Sequence, residues 1–303
     1  MSDSVIQQEN SPVSWRDYLE LTKPVVVALM ILTSVIGMFL SVPGMVPWEI
    51  LIFGNLGIAL CAGSAAAVNH LVDRRIDIVM ARTRNRPIAQ GRLTTRDAII
   101  FALVLGVAGT AILSVWTNQL TVWLTLASLF GYAFVYTMYL KRATPQNIVI
   151  GGLAGAAPPL LGWTAVTNSL DPHGLLLALI IFVWTPPHFW ALAIHRRDDY
   201  AKADIPMLPV THGIKFTRLN ILLYAVLLII VSLLPFVVGM MGILYLFGAL
   251  VLGGGFLYWA IILVRGNNKQ APMETFKYSS IYLMTLFLVM LVDHYLFPQV
   301  MGS

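Results

Sequence analysis

Residues 48–77 read WEILIFGNLGIALCAGSAAAVNHLVDRRID, and this stretch decides the fold class. The part from 48 to 68 is almost entirely apolar, and a helix of about 20 such residues is long enough to cross the hydrocarbon core of a membrane. The apolar run then stops at Asn69, Asp73 and Asp77, with arginines between and after them. The stretch therefore predicts a membrane-spanning helix whose charged end lies at the membrane surface.

Eight further apolar stretches repeat this pattern along the chain. The composition agrees, because 58% of the 303 residues are hydrophobic, only 11% are charged and the mean hydropathy is +0.79. Soluble domains average about 45–50% apolar and about 25% charged residues, which excludes an ordinary soluble enzyme, a disordered chain and a coiled coil. The single cysteine, Cys61, excludes a disulfide framework and a cysteine-based zinc site. The nine predicted spans are 22–42, 48–68, 98–116, 120–140, 147–166, 174–194, 218–240, 243–264 and 277–297.

We predict an all-α polytopic membrane protein with nine transmembrane helices around a central cavity. Residues 1–20 form a polar cytoplasmic tail in this prediction, and residues 21–298 form one nine-helix transmembrane domain. All 19 lysines and arginines lie near the start of the first span, or between an even-numbered span and the next, edges included. Since basic residues concentrate on the cytoplasmic side, we expect a cytoplasmic N-terminus, an outside C-terminus and a location in a bacterial inner membrane. Anionic lipid head groups account for the net charge of +5 without a nucleic acid.

The first candidate site is the polar end of the second span. Asn69, Asp73 and Asp77 follow one another at intervals of four residues, so on a helix they fall within an arc of about 80°, roughly 6 Å apart. Carboxylate and amide oxygens suit Mg²⁺, which also keeps water and phosphate ligands. In the alternative interpretation this is a solvated helix end, whose carboxylates pair with Arg74 and Arg75.

An arginine-rich loop follows this helix end. Arg82, Arg84 and Arg86 alternate along it, and the planar guanidinium group of arginine is matched to phosphate oxygens. Next to a magnesium site they predict a clamp for a diphosphate. The alternative is that these arginines contact lipid head groups.

A second basic segment follows the fourth span. Tyr139, Lys141, Thr144 and Asn147 are candidate phosphate donors. Lys141 and the neighbouring Arg142 also fit a role as topological anchors only.

The sixth span combines two prolines with a histidine. Pro186-Pro187 is expected to kink or open the helix, and opened membrane helices usually line a cavity. His188 follows directly, either as a ligand or proton-transfer residue or as a satisfied structural residue. His195 and Asp199 come next at a spacing of four, together with Asp198, and Asp204 lies past the helix end. His195, Asp198 and Asp199 together predict a second acidic site facing the first.

Several segments together resemble a known family. The pattern Asn69-x3-Asp73-x3-Asp77, followed by Met80-Ala-Arg-Thr-x-x-Arg-Pro87, is similar to the first motif of the UbiA-type intramembrane prenyltransferases. Residues 136–152 and 184–209 resemble the members that farnesylate protohaem IX. The resemblance implies transfer of farnesyl from farnesyl diphosphate to a vinyl group of haem B, with addition of water, giving haem O and diphosphate for haem–copper oxidases.

The resemblance also implies residue roles. Asn69, Asp73 and Asp77 would hold Mg²⁺ with Asp199 at the second acidic site, and His188 would contact haem or its iron. The diphosphate would meet Arg82, Arg86 and Lys141, and the second acidic site would comprise Asp198, Asp199 and Asp204. The family's second Asp-x3-Asp pattern is interrupted, because Ala203 stands four residues after Asp199. A haem A synthase or an oxidase-assembly protein fits as a partner, besides membrane lipid.

Three other interpretations remain open from the sequence. A prenyltransferase acting on a quinone precursor or another aromatic acceptor would use the same magnesium site. An ion-coupled membrane transporter would use Asp73, Asp77 and Asp199 as ion sites, although transporter carboxylates usually lie near the membrane midplane. A haem-binding membrane subunit without catalysis would explain His188 but not the acidic stripe.

Overall fold

A computed structural model describes residues 13–296, and this part of the chain is helical, with no β-strand in it. The predicted all-α class is confirmed. The helices are α1 (Trp15–Leu21), α2 (Pro24–Leu40), α3 (Ile50–Val79), α4 (Thr95–Trp116), α5 (Gln119–Ala143), α6 (Asn147–Thr167), α7 (Pro172–His195), α8 (Arg197–Lys202), α9 (Leu208–Thr211), α10 (Gly213–Val237), α11 (Ile243–Arg265) and α12 (Ala271–Leu296).

Among the described helices, eight are long and apolar enough to cross a membrane, and α1 with α2 can add a ninth span. These two helices are bent by 53° at the break between them. Lys23 lies in the break with φ of 52°, in the left-handed region. The break itself has a local cause, because a residue before a proline is disfavoured in the right-handed helical region. Residues 15–20 of the predicted tail are therefore helical, whereas residues 1–12, 297 and 298 lie outside the described part.

The bundle is packed closely around α6 and α7. Helix α6 contacts α2 and α7, and α7 contacts α10 and α12. At the crossing of α2 and α6 only glycine fits, because a Cβ on Gly37 would lie 2.2 Å from the Pro159 carbonyl oxygen. A Cβ on Gly162 would likewise lie 2.1 Å from the carbonyl oxygen of Ser34. These contacts fix the walls of the space between the helices.

Helix α7 stays helical across its two prolines. It runs continuously from Pro172 to His195, so the expectation that Pro186-Pro187 opens the helix is wrong. Proline removes one backbone donor and strains the preceding turn, but neighbouring helices hold such a segment in place. Here α6, α10 and α12 pack on α7, the helix that carries His188.

Two connecting segments close one end of the bundle over the polar end of α3. Met80, just after α3, packs in one apolar cluster with Ile205 and Met207 from the segment after α8. The segment between α3 and α4, residues 80–94, is also attached to α1, because Arg92 forms an ion pair with the buried carboxylate of Asp17. The two loops predicted to carry chemistry therefore lie together, above the same helix ends.

Candidate active site

The acidic stripe of α3 lies inside the protein. Asn69, Asp73 and Asp77 are all buried, and only 1% of Asp73 is exposed. The Asn69 amide donates to Asp73 Oδ2 at 2.9 Å and to the Thr137 hydroxyl at 3.3 Å. The helical spacing predicted from the sequence is therefore observed, with the three polar groups in a row on one face.

Each member of the stripe is paired with a cation from a different segment. Burying an unpaired carboxylate is costly, so buried charges are normally paired. The expected partners Arg74 and Arg75 are exposed instead, which contradicts the interpretation as a solvated helix end. The Arg86 guanidinium donates to both oxygens of Asp77 at 2.8 Å. The three pairs are Lys23 with Asn69, Lys141 with Asp73, and Arg86 with Asp77.

Lys141 reaches Asp73 because of an unusual helical segment. Residues Gly131–Leu140 of α5 form a π-helix, in which i→i+5 hydrogen bonds give about 4.4 residues per turn. Tyr132 and Lys141, nine residues apart, therefore lie about two turns apart on the same face, whereas an α-helix would place them on opposite faces. Both line the cavity, as does Tyr136. The Tyr132 and Tyr136 rings stack at 5.4 Å between centroids.

Lys23 enters the site from the break between α1 and α2. Its left-handed backbone is a strained conformation for a residue other than glycine. Its ammonium group bonds the Asn69 side-chain oxygen and lies 6.0 Å from the centre of the Tyr132 ring. Strained backbone clusters at functional sites, so Lys23, whose ammonium group lies in this buried polar cluster, is a functional candidate. Sequence reasoning missed this role, although the Lys23-Pro24 pair was a local sign of the break.

The arginine-rich loop turns back over the stripe. The Thr83 hydroxyl donates to the Asp77 carbonyl oxygen at 3.2 Å, and this bond folds the loop so that Arg82 and Arg86 both line the cavity. Arg84 is exposed and does not line it. Two of the three alternate arginines therefore line the cavity, and the diphosphate clamp stays a prediction.

A cavity of about 480 Å³ extends from this polar end into the bundle. Its mouth carries the stripe and its cations, and its depth is apolar, as a lipid chain requires. Gly155 borders it with no atom within 4 Å of a Cβ position. Tyr200 lines the mouth, where burial raises the pKa of its hydroxyl group and keeps the group neutral. The apolar lining includes Met30, Ile58, Ala62, Ala66, Leu129 and Leu161.

His188 lines the same cavity from α7. Its ring is stacked between Trp184, at 4.2 Å between centroids, and Phe276, at 4.4 Å. Its Nδ1 atom lies 2.6 Å from the hydroxyl oxygen of Ser279 on α12. The structure thus places one histidine and one acidic stripe, predicted from separate motifs, on the walls of a single space.

The remaining predicted site residues lie away from the cavity. Tyr139 is 68% exposed, because the π-helix turns it outward. Asn147 is buried behind the site, where its amide donates to the Lys141 carbonyl oxygen at 3.4 Å. The other residues that do not line the cavity are His195, Asp198, Asp199 and Asp204.

The predicted second acidic site is not assembled within residues 13–296. Helix α7 ends at His195 and a new helix begins at Arg197, so the spacing of four between His195 and Asp199 no longer places them on one face. The Asp199 carboxylate oxygen Oδ2 lies 4.0 Å from the Arg196 guanidinium nitrogen Nη1. Asp198 and Asp204 are exposed. No cluster of three or more Asp, Glu, His or Cys ligands occurs in this described part.

Comparison with known proteins identifies the family. The model of the UbiA prenyltransferase family matches residues 30–288. The chain belongs to this family. A UbiA-family relative of Saccharophagus degradans, named protoheme IX farnesyltransferase, is 67% identical over 298 residues and is matched over 98% of each chain. Membership of the UbiA family speaks against the interpretations as a transporter and as a haem-binding subunit without catalysis.

Solved structures share the UbiA fold at low sequence identity. A structure described as digeranylgeranylglyceryl phosphate synthase has a TM-score of 0.78 and 19% identity, and the match covers 92% of this chain and 98% of that one. A UbiA homologue from Archaeoglobus fulgidus bound to GPP and Mg²⁺ has a TM-score of 0.63 and 16% identity, with 90% and 99% covered. These likenesses establish the fold.

Proposed function

We propose that this protein transfers the farnesyl group of farnesyl diphosphate to a vinyl group of protohaem IX, with addition of water, giving haem O and diphosphate. The observation that carries the proposal is the 67% identity, over 98% of both chains, to a protein named protoheme IX farnesyltransferase. The cavity supports it, because a cation-rich mouth, an apolar depth and a histidine-bearing wall suit a diphosphate, a prenyl chain and a haem in turn.

The residues of the stripe fit a magnesium ion. Asp73 Oδ1 is buried without a hydrogen-bond partner, and such an orphaned carboxylate oxygen suits a cation. Mg²⁺ would be held by Asn69, Asp73 and Asp77, with water and diphosphate oxygens as further ligands. The ion would supply charge neutralisation for the departing diphosphate. The UbiA homologue bound to GPP and Mg²⁺ supports this part of the proposal. Asp199 stays outside it, because Asp199 does not line the cavity.

Two of the four cations that line the cavity, Lys141 and Arg86, would change partners in this proposal. With Asp73 and Asp77 as ligands of the ion, Lys141 and Arg86 would be available to the diphosphate, together with Lys23 and Arg82 at the mouth. Breaking the allylic C–O bond leaves the electron pair on the diphosphate, and fixed cations stabilise that developing charge. All four cations line the cavity, which supports this assignment.

The farnesyl cation then adds to the vinyl group, and water captures the resulting haem-side cation and loses a proton. The stacked rings of Tyr132 and Tyr136 lie beside the diphosphate end, where aromatic faces stabilise a cation. The apolar depth keeps water from the farnesyl cation. His188 is the residue that we assign to contact with the haem or its iron.

The direct experiment is an assay of the purified protein with haem B, farnesyl diphosphate and Mg²⁺, in which haem O and diphosphate are measured. We expect equal amounts of both products. An aromatic quinone precursor in place of haem B should give no product. Prenylation of the quinone precursor, without haem O from haem B, would replace this function with the alternative acceptor class.

The protein is an integral membrane protein, and we place it in the inner membrane with a cytoplasmic N-terminus. Cys61 is the single cysteine and is buried, so a cysteine added at Ser2 or at Ser303 can be labelled without interference. An impermeant maleimide applied to intact spheroplasts should label the Ser303→Cys variant but not the Ser2→Cys variant. The reverse pattern would invert the topology.

A further inference from the structure

The His188 ring is held on both faces and at one edge. Trp184 and Phe276 stack on its two faces with interplanar angles of 24° and 30°, and Phe189 meets it edge to face at 5.0 Å. With its orientation fixed in this way, the neutral ring can still differ in its tautomer, which means in whether Nδ1 or Nε2 carries the proton. Its Nδ1 atom is committed to Ser279. Nε2 forms no side-chain hydrogen bond to the described residues, and the His188 side chain lines the cavity.

The hydrogen bonds of Ser279 decide where that proton lies. The Ser279 hydroxyl is 2.7 Å from the carbonyl oxygen of Phe276 and 2.6 Å from His188 Nδ1. A hydroxyl has one proton to donate and a neutral imidazole carries one N–H. If Ser279 donates to Phe276, then Nδ1–H donates to Ser279 and two bonds form. If Ser279 donates to Nδ1 instead, the bond to Phe276 is lost and only one remains.

We infer that Ser279 is a positioning residue that holds His188 as its Nδ1-protonated tautomer, so that Nε2 offers a lone pair to the haem iron. The inference rests on the proposed function, because it takes haem as the occupant of the cavity. A metal-binding histidine usually donates its other N–H to a fixed acceptor, which sets the tautomer and the ring orientation. Ser279 provides that acceptor from a different helix.

Removal of the hydroxyl is a clean perturbation. The Ser279 backbone carbonyl accepts a hydrogen bond from Trp184 Nε1 at 2.7 Å, and the Ser279→Ala variant keeps this bond. Ser280, the next residue, offers a matched control, because its hydroxyl lies 3.4 Å from the Phe276 carbonyl oxygen and makes no bond to His188. Ser279→Thr restores a hydroxyl at the same position.

The experiment is a titration of the full-length protein in detergent with ferric haem B, followed by absorption and electron paramagnetic resonance spectra. Loss of a fixed acceptor behind a metal-binding histidine costs about 10–100-fold in metal affinity. We expect Ser279→Ala to weaken haem binding at least tenfold and to lose the histidine-ligated spectrum, as His188→Ala does. Ser280→Ala should match the wild type, and Ser279→Thr should recover the ligated spectrum.

The combined variant tests whether Ser279 acts through His188. Adding Ser279→Ala to His188→Ala should weaken haem binding no further. Wild-type affinity and spectrum in Ser279→Ala, or a further loss in the combined variant, would overturn the inference. Failure of the proposed function would appear separately, as absence of haem O from the wild-type protein with all substrates present.

Discussion

Lys141→Met tests the pairing of the acidic stripe most sharply. Lys141 is the cation of the nearly fully buried Asp73, and its own side chain is 18% exposed. Two unit charges about 4 Å apart attract by about 4 kcal/mol at an effective dielectric of 20. Removing one partner of a buried pair costs about 3–5 kcal/mol, because the other charge stays buried. At about 2 °C for each kcal/mol, the unfolding temperature should fall by about 6–10 °C.

Magnesium should distinguish this explanation from a general packing defect. In Lys141→Met the metal can take the vacated place beside Asp73, and binding at 100 times the dissociation constant stabilises the folded state by about 2.7 kcal/mol, or about 5 °C. In the wild type the ammonium group of Lys141 already pairs with Asp73 and repels the metal, so the stabilisation by Mg²⁺ should be less than half of this. Thermal unfolding in detergent, with and without Mg²⁺, measures both effects.

Arg142→Met is the matched control, since Arg142 is the exposed neighbour and, within residues 13–296, its side chain bonds only the Val72 carbonyl oxygen, at 3.3 Å. Exposed substitutions change stability by about 0.5 kcal/mol or less, so its unfolding temperature should stay within about 1 °C of the wild type. An equal loss of stability in both variants would refute the reasoning. So would equal stabilisation of Lys141→Met and wild type by Mg²⁺.

Lys23→Met should raise KM for farnesyl diphosphate about 10–100-fold, since a hydrogen bond to a charged group contributes about 1.5–3 kcal/mol; an unchanged KM would remove Lys23 from the site. Gly155→Leu should fill the cavity and lower kcat/KM at least tenfold without lowering the unfolding temperature. Gly152→Leu should lower that temperature, because its Cβ would lie 3.0 Å from the Thr185 side chain. A lower unfolding temperature for Gly155→Leu than for Gly152→Leu would contradict the open space beside Gly155. Tyr136→Ala should slow turnover while Tyr139→Ala should not, and steady-state kinetics that reverse this pair would contradict the π-helical register.

Local periodicity was sufficient to predict the acidic stripe. Asn69, Asp73 and Asp77 lie on a regular α-helix, where a spacing of four means one face. The spans were predictable for a similar reason, since apolar length alone identifies a membrane helix. His188 was predicted as a candidate from its place beside the two prolines, although the helix around it is not opened.

The partners of the stripe were not predictable from local pattern. Lys23 meets Asn69 across 46 residues of sequence, and Lys141 meets Asp73 across 68. The π-helix changed the register of α5, so Tyr132 and Tyr136 line the cavity in place of Tyr139. The predicted second acidic site assumed that α7 continues past His195, whereas the helix breaks at Arg196. From the short helix α8 that follows the break, Tyr200 lines the cavity whereas Asp199 does not.

The most direct test of the account is a single turnover with labelled farnesyl diphosphate and haem B, in which released diphosphate and haem O are followed together. In Mg²⁺ the wild type should form both at the same rate and in equal amounts. Chelation of the metal, or Asp73→Asn, should slow both products at least about 1000-fold, because charge stabilisation of the leaving group supplies several kcal/mol. Asp97→Asn, at the start of α4 and outside the cavity, should leave them unchanged. Haem O formed at the wild-type rate without metal, or by Asp73→Asn, would contradict the account.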